Sequence, residues 1–108
     1  MSMTLSWLLH GIADLPEGAG ATLVTGLASD SRRIRKGEVF AALAGVEADG
    51  AAFVQSAIDN GAVAIVAARN AGLPDKLTVP VAVCDNPRLA LALMAARFYA
   101  RQPDVMVA

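Results

Sequence analysis

Apolar positions along this chain fall into short runs separated by polar, glycine-bearing breaks. Leu5, Leu8 and Leu9 lie at i, i+3 and i+4, which predicts a short helix ended by Gly11, with Trp7 and His10 pointing elsewhere. Residues 21–28 (ATLVTGLA) read as a strand in which Gly26 permits a bulge or a close backbone approach. Arg35-Lys36-Gly37-Glu38 predicts a turn, because Gly37 is free to take positive φ. Residues 39–44 (VFAALA) and 62–67 (AVAIVA) are apolar at every position, as strands covered on both faces are. Between them, Phe53, Val54, Ala57 and Ile58 share one face of a helix over 51–60, opposite Gln55, Ser56, Asp59 and Asn60, and Gly61 stops it. Residues 80–84 predict a third core strand. Asp85-Asn86-Pro87 supplies a capping side chain and a proline at the first helical position for a helix over 88–101. That helix is apolar around most of its circumference, with Arg97 and Arg101 defining its solvated side. Residues 104–108 begin a strand that stops short, which reads as a fragment of a longer chain. Strands without polar alternation, interleaved with helices, predict an α/β sheet covered on two faces.

Composition narrows this picture without changing it. A length of 108 residues bounds the chain to one domain, and 56% hydrophobic against 18% charged residues predicts a compact fold. A formal net charge of −1 leaves no basic footprint for nucleic acid. The longest apolar runs, 62–68 and 89–96, fall far below the roughly 20 residues that cross a bilayer, so no membrane partner is expected. Residues 1–16 lack a basic leader, and no signal peptide is read there. Cys84 is the only cysteine and lies in an apolar run, as a reduced structural thiol would. His10 is the only histidine, so no histidine-pair metal site or histidine relay exists within these residues.

Catalytic constellations are missing. The sequence has no G-x-x-x-x-G-K-S/T phosphate loop, no G-x-S-x-G, no Cys/His metal spacing and no carboxylate pair placed for acid–base work. The residues read as a binding domain with no metal or cofactor of its own. Ser29-Asp30-Ser31-Arg32 places two hydroxyls, with intervening amides, at a strand end, where charge-assisted donors suit a diphosphate. The Val46-Glu47-Ala48 loop offers backbone N–H and C=O groups that can read the edge of a uracil ring. Asp30, Ser31 and Arg32 admit two readings: ligand contacts, or a turn capped by Asp30 and Ser31 with Arg32 paired to a neighbouring carboxylate.

The ordered set Asp30-Ser31-Arg32, a basic turn ending in Gly37-Glu38-Val39-Phe40, and Ala42-Leu43-Ala44-Gly45 closing on Asp49-Gly50 resembles the N-terminal domain of the Mur ligases. The resemblance runs from Leu23 to the end of the chain. It implies a single three-layer α/β domain over residues 1–108, with a mixed, mostly parallel sheet and helices on both faces. It also implies a cytoplasmic amide ligase of peptidoglycan synthesis. In that family the N-terminal domain grips the UDP end of a UDP-MurNAc-peptide, and ATP and Mg2+ belong to a separate ATPase domain of the same parent chain. By motif position, Ser29 and Ser31 match the uridine-diphosphate contacts, and Val46, Glu47 and Ala48 match the uracil-side loop. One well-known version of that loop has His-Gln-Ala, so backbone rather than side-chain contacts carry over at Val46 and Glu47. Asn86-Pro87-Arg88-Leu89 and Arg97-Phe98-Tyr99 look more like the branch that adds the third amino acid, diaminopimelate or lysine, to UDP-MurNAc-L-Ala-D-Glu. The branch adding D-Ala-D-Ala often carries Asp-Gly-His where this chain has Asp49-Gly50-Ala51. A stand-alone α/β interaction module is the other class the residues allow.

Overall fold

The structure is a computed structural model that describes residues 3–43, 50–69 and 77–100. The loop expected at Val46, Glu47 and Ala48 and the strand expected over 104–108 lie outside them. The chain opens with β1 (Met3–Thr4) and runs directly into α1 (Leu5–Leu9), where the Thr4 hydroxyl accepts from Trp7 N at 3.3 Å as an N-cap. Gly11 follows at φ +74° and turns the chain away. β1 pairs antiparallel with β2 (Leu23–Val24), a pairing the sequence did not signal.

The run expected as one strand over 21–28 divides between two sheets. β2 joins β1, while β3 (Gly26–Ala28) begins a separate four-stranded sheet. The break is at Thr25, whose N–H donates to Gly37 O at 2.8 Å and whose hydroxyl donates to Lys36 O at 3.3 Å. These bonds tie Thr25 to a turn 11 residues onward, and the chain changes partners there. At Gly26 the close neighbour is a side chain rather than the backbone expected there: a β-carbon would lie 2.5 Å from a Glu38 carboxylate oxygen.

The main sheet continues with β4 (Glu38–Ala41), β5 (Ala64–Ala68) and β6 (Val81–Cys84), all parallel, in the order β3-β4-β5-β6. Side chains alternate between its two faces. Val39, Ala41, Ala64, Val66, Ala82 and Cys84 face one core, which α1 and α3 (Pro87–Ala100) cover. Phe40, Ala42, Ile65 and Ala67 face the other, covered by α2 (Gly50–Asp59) through Val54 and Ala57. The result is three layers with helices on both sides, which is why the strands lack polar alternation.

Two side-chain expectations are corrected. Phe53 was expected on the buried face of α2 but is 48% exposed. The stripe that meets the sheet is Val54 and Ala57, each fully buried, and Phe53 falls at its margin. Arg97 was expected to point to solvent from α3. Its Nη1 instead donates to the carbonyls of Trp7, Leu8 and His10 at 3.2, 3.1 and 2.8 Å, and its guanidinium carbon stands 5.8 Å from the Trp7 ring centroid. A short helix leaves its last carbonyls without partners, and Arg97 supplies one from the opposite end of the chain. The start of α3 follows the sequence: Asn86 Oδ1 accepts from Leu89 N at 3.2 Å, and Pro87 occupies the first turn.

Candidate functional site

β3 and β4 are adjacent and parallel, with Ala28 opposite Phe40. Both strands therefore deliver their following segments to the same, carboxyl-terminal edge of the sheet, where ligands of open α/β sheets bind. Ser29 leaves β3 at this edge and is exposed. Ala42 and Leu43 follow β4 at the same edge. α2 begins at Gly50.

Ser31 opens a 3-10 turn over Ser31–Arg33. Asp30 is its N-cap: Oδ1 accepts from Arg32 N at 3.0 Å, and the two carboxylate oxygens accept from Arg32 Nε and Nη2, each at 3.2 Å. Arg33 Nε stands 3.9 Å from Asp30 Oδ2. The Arg32 guanidinium, and after it the Arg32 backbone N–H, hold the Asp30 carboxyl below its ordinary value of 3.8, and Asp30 raises Arg32 in return. At the other end of the turn Ile34 is 5% exposed and packs into the α2 core. The turn thus has one polar and one apolar anchor, and it lies against α2. Of the residues singled out in the sequence, Ser29 directly follows β3 and Ser31 opens the turn two residues later. Asp30 and Arg32 form the cap and its paired cation.

Elsewhere on the carboxyl-terminal edge, Arg69 follows β5 and bridges Asp14 and Asp85, the latter at 2.9 Å, and both carboxylates raise its pKa, Asp14 the more. Backbone bonds between Asp14 and Val83 clip the residue-14 segment onto the outer edge of β6. Cys84 is buried, its thiol pKa raised chiefly by that burial from an ordinary 9.0, so it stays protonated at neutral pH. His10 is an exposed residue at the end of α1. An open cleft of about 490 Å³ between α1 and α3 is lined by Thr4, Ser6, Trp7, His10 and Arg97. No group of three or more His, Cys, Asp or Glu side chains suited to a metal occurs among the described residues. None of their helices is long and apolar enough to cross a membrane.

The family model "Mur ligase family, catalytic domain" matches residues 23–99. A UDP-N-acetylmuramoyl-L-alanyl-D-glutamate–2,6-diaminopimelate ligase of Mesorhizobium japonicum is 51% identical over 104 residues, 93% of this chain and 21% of that protein. The ligase of the same name from Brucella melitensis is 50% identical over 93 residues, 86% of this chain and 19% of its own length. A crystal structure of MurF from Acinetobacter baumannii superposes with a TM-score of 0.69 at 24% identity, over 89% of this chain and 21% of that one. At that identity the structural likeness establishes the fold alone. The chain spans about a fifth of the length of the curated relatives it matches.

Proposed function

Because this chain belongs to the Mur ligase family, we propose that it is the domain that anchors the UDP end of UDP-MurNAc-L-Ala-D-Glu. The complete ligase adds diaminopimelate to that substrate in the cytoplasmic stage of peptidoglycan synthesis. The observation that carries this reading is the turn at Ser29–Arg33, which leaves β3 at the same sheet edge as the segment after β4. Hydroxyls and amides at such an edge meet a diphosphate without displacing any apolar packing. We assign Ser29 and Ser31 to the diphosphate and the backbone of Val46, Glu47 and Ala48 to the uracil ring. Relatives near 50% identity bear the diaminopimelate ligase name, and this favours diaminopimelate over lysine, and the third-residue branch over the D-Ala-D-Ala branch.

The family model is described as catalytic, yet the role proposed for this segment is binding. ATP and Mg2+ do not fit these residues: the sequence has no G-x-x-x-x-G-K-S/T loop, and the described residues offer no metal-holding cluster. Both are assigned to the remainder of the ligase. There the substrate carboxylate would be activated and attacked by the incoming amine, while this domain holds the nucleotide end in register.

Titrating the 15N-labelled chain with UDP tests the reading. Amides of residues 29–33 and 45–48 are expected to shift, and their standing still at millimolar UDP overturns it. In the complete ligase, Ser31→Ala is expected to raise KM for the UDP substrate roughly tenfold, as loss of one charge-assisted hydrogen bond does, with kcat retained. A fall in kcat at constant KM contradicts the assignment.

A further inference from the structure

We propose that Asp30 is a positioning residue of this nucleotide site: by clasping Arg32 it holds the Ser31–Arg33 turn, and the Ser29–Asp30 step that leads into it, in the shape that presents their donors to a diphosphate. The inference rests on the UDP-anchoring reading and goes beyond it, since it concerns a residue that need not touch the ligand. A carboxylate is a poor neighbour for a diphosphate, and its presence inside the turn calls for a reason. Its charge is not left bare. Three donors of Arg32 converge on it and Arg33 stands close, so one carboxylate faces two guanidiniums and the turn keeps a net positive charge.

Stability alone does not account for the arrangement. The Arg32 side chain is 86% exposed, and ion pairs of that kind contribute little to global folding. Local order is a different matter. A three-residue 3-10 turn has little persistence of its own, and Ile34 fastens only its far end to the core. The near end leaves β3 through Ser29, and between that strand and the turn Asp30 accepts from Arg33 N through its carbonyl at 2.9 Å and from Arg32 through its carboxylate. Misplacing a binding group by about 1 Å is enough to cost large factors in recognition.

Charge and positioning predict opposite signs, and this makes the proposal decidable. If Asp30 acted only through its charge, removing it would strengthen attraction for an anion. If it positions the turn, removing it weakens binding although the site becomes more positive. The experiment measures UDP affinity by amide shifts in the wild-type chain and in Asp30→Ala, Asp30→Asn and Ser31→Ala, alongside each melting midpoint. Asp30→Ala is expected to bind UDP about tenfold more weakly. Asp30→Asn, which keeps a side-chain oxygen for the Arg32 amide, is expected to stay within about threefold of wild type. Arg97→Ala, which loosens the other core, serves as the control: it is expected to lower the melting midpoint yet keep UDP affinity. Asp30→Ala binding UDP as well as or better than wild type overturns the proposal, as does Asp30→Asn binding as poorly as Asp30→Ala. If Ser31→Ala weakens UDP while Asp30→Ala does not, the clasp falls and the site stands. If wild type itself shows no shift, the site reading falls and takes the clasp with it.

Discussion

Gly61 stands at φ +113°, and a β-carbon there would lie 2.6 Å from Lys36 Cα. Gly37, at φ +92°, would bring a β-carbon to 2.5 Å from Thr25 Oγ1. Both conformations penalise any L side chain, but the obstacles differ. The Thr25 hydroxyl can rotate away at the loss of one 3.3 Å bond, whereas the Lys36 backbone is held by Gly37 N donating to Gly61 O at 3.0 Å. Gly61→Ala is therefore expected to destabilise by about 3 kcal/mol or more and Gly37→Ala by about 1–2 kcal/mol, read from urea denaturation midpoints. Sequence reasoning located both glycines because each follows a polar stretch where a chain must turn. What it did not contain was the neighbour each would strike, since Thr25 and Lys36 meet them only through sheet pairing. Asp30 follows the same rule. Its capping role is local, two residues to Arg32 N, and was legible as one of two readings. The anchor at Ile34 depends on α2 and was not.

Arg97 shows the same limit at the level of elements. From spacing alone it marks the wet side of α3, because nothing within the helix covers it. The cover is α1, which comes from the start of the chain, and its terminal carbonyls accept the guanidinium. Replacing Arg97 with alanine is expected to cost about 1–3 kcal/mol and to speed amide exchange in α1 before that in β5. Uniform acceleration across both elements would show that α1 does not depend on this contact. Three of the four parallel strands, β4, β5 and β6, were legible as elements with ends displaced by at most three residues, because uninterrupted apolar runs specify strands covered on both faces. The division of 21–28 between two sheets was not legible. Residues 23–24 and 26–28 are equally suited to pairing, and the choice is made at Thr25 by a turn 11 residues away. For the candidate site, the polar stretch Ser29–Arg32 was legible at a strand end, and the 3-10 turn over Ser31–Arg33 was not. The structure adds that β3 and β4 are neighbours, which brings the turn and the segment after β4 to one edge.

At the scale of the molecule, α1 is held by a helix that follows it by some eighty residues in the chain. His10 and Arg97 are 87 positions apart, which at roughly 5–20 residues per second is about 4–17 s of translation. Throughout that interval Leu5, Leu8 and Leu9, all fully buried in the finished domain, lack the helix that covers them. Ribosome-arrested chains ending before residue 97 are thus expected to be cut by protease near residues 5–14, and chains that release residue 100 from the exit tunnel to resist. Equal resistance at both lengths would mean that α1 finds cover without α3. During synthesis the leading leucines are the natural handle for a chaperone, and the emergence of Arg97 is the signal that ends the need for one.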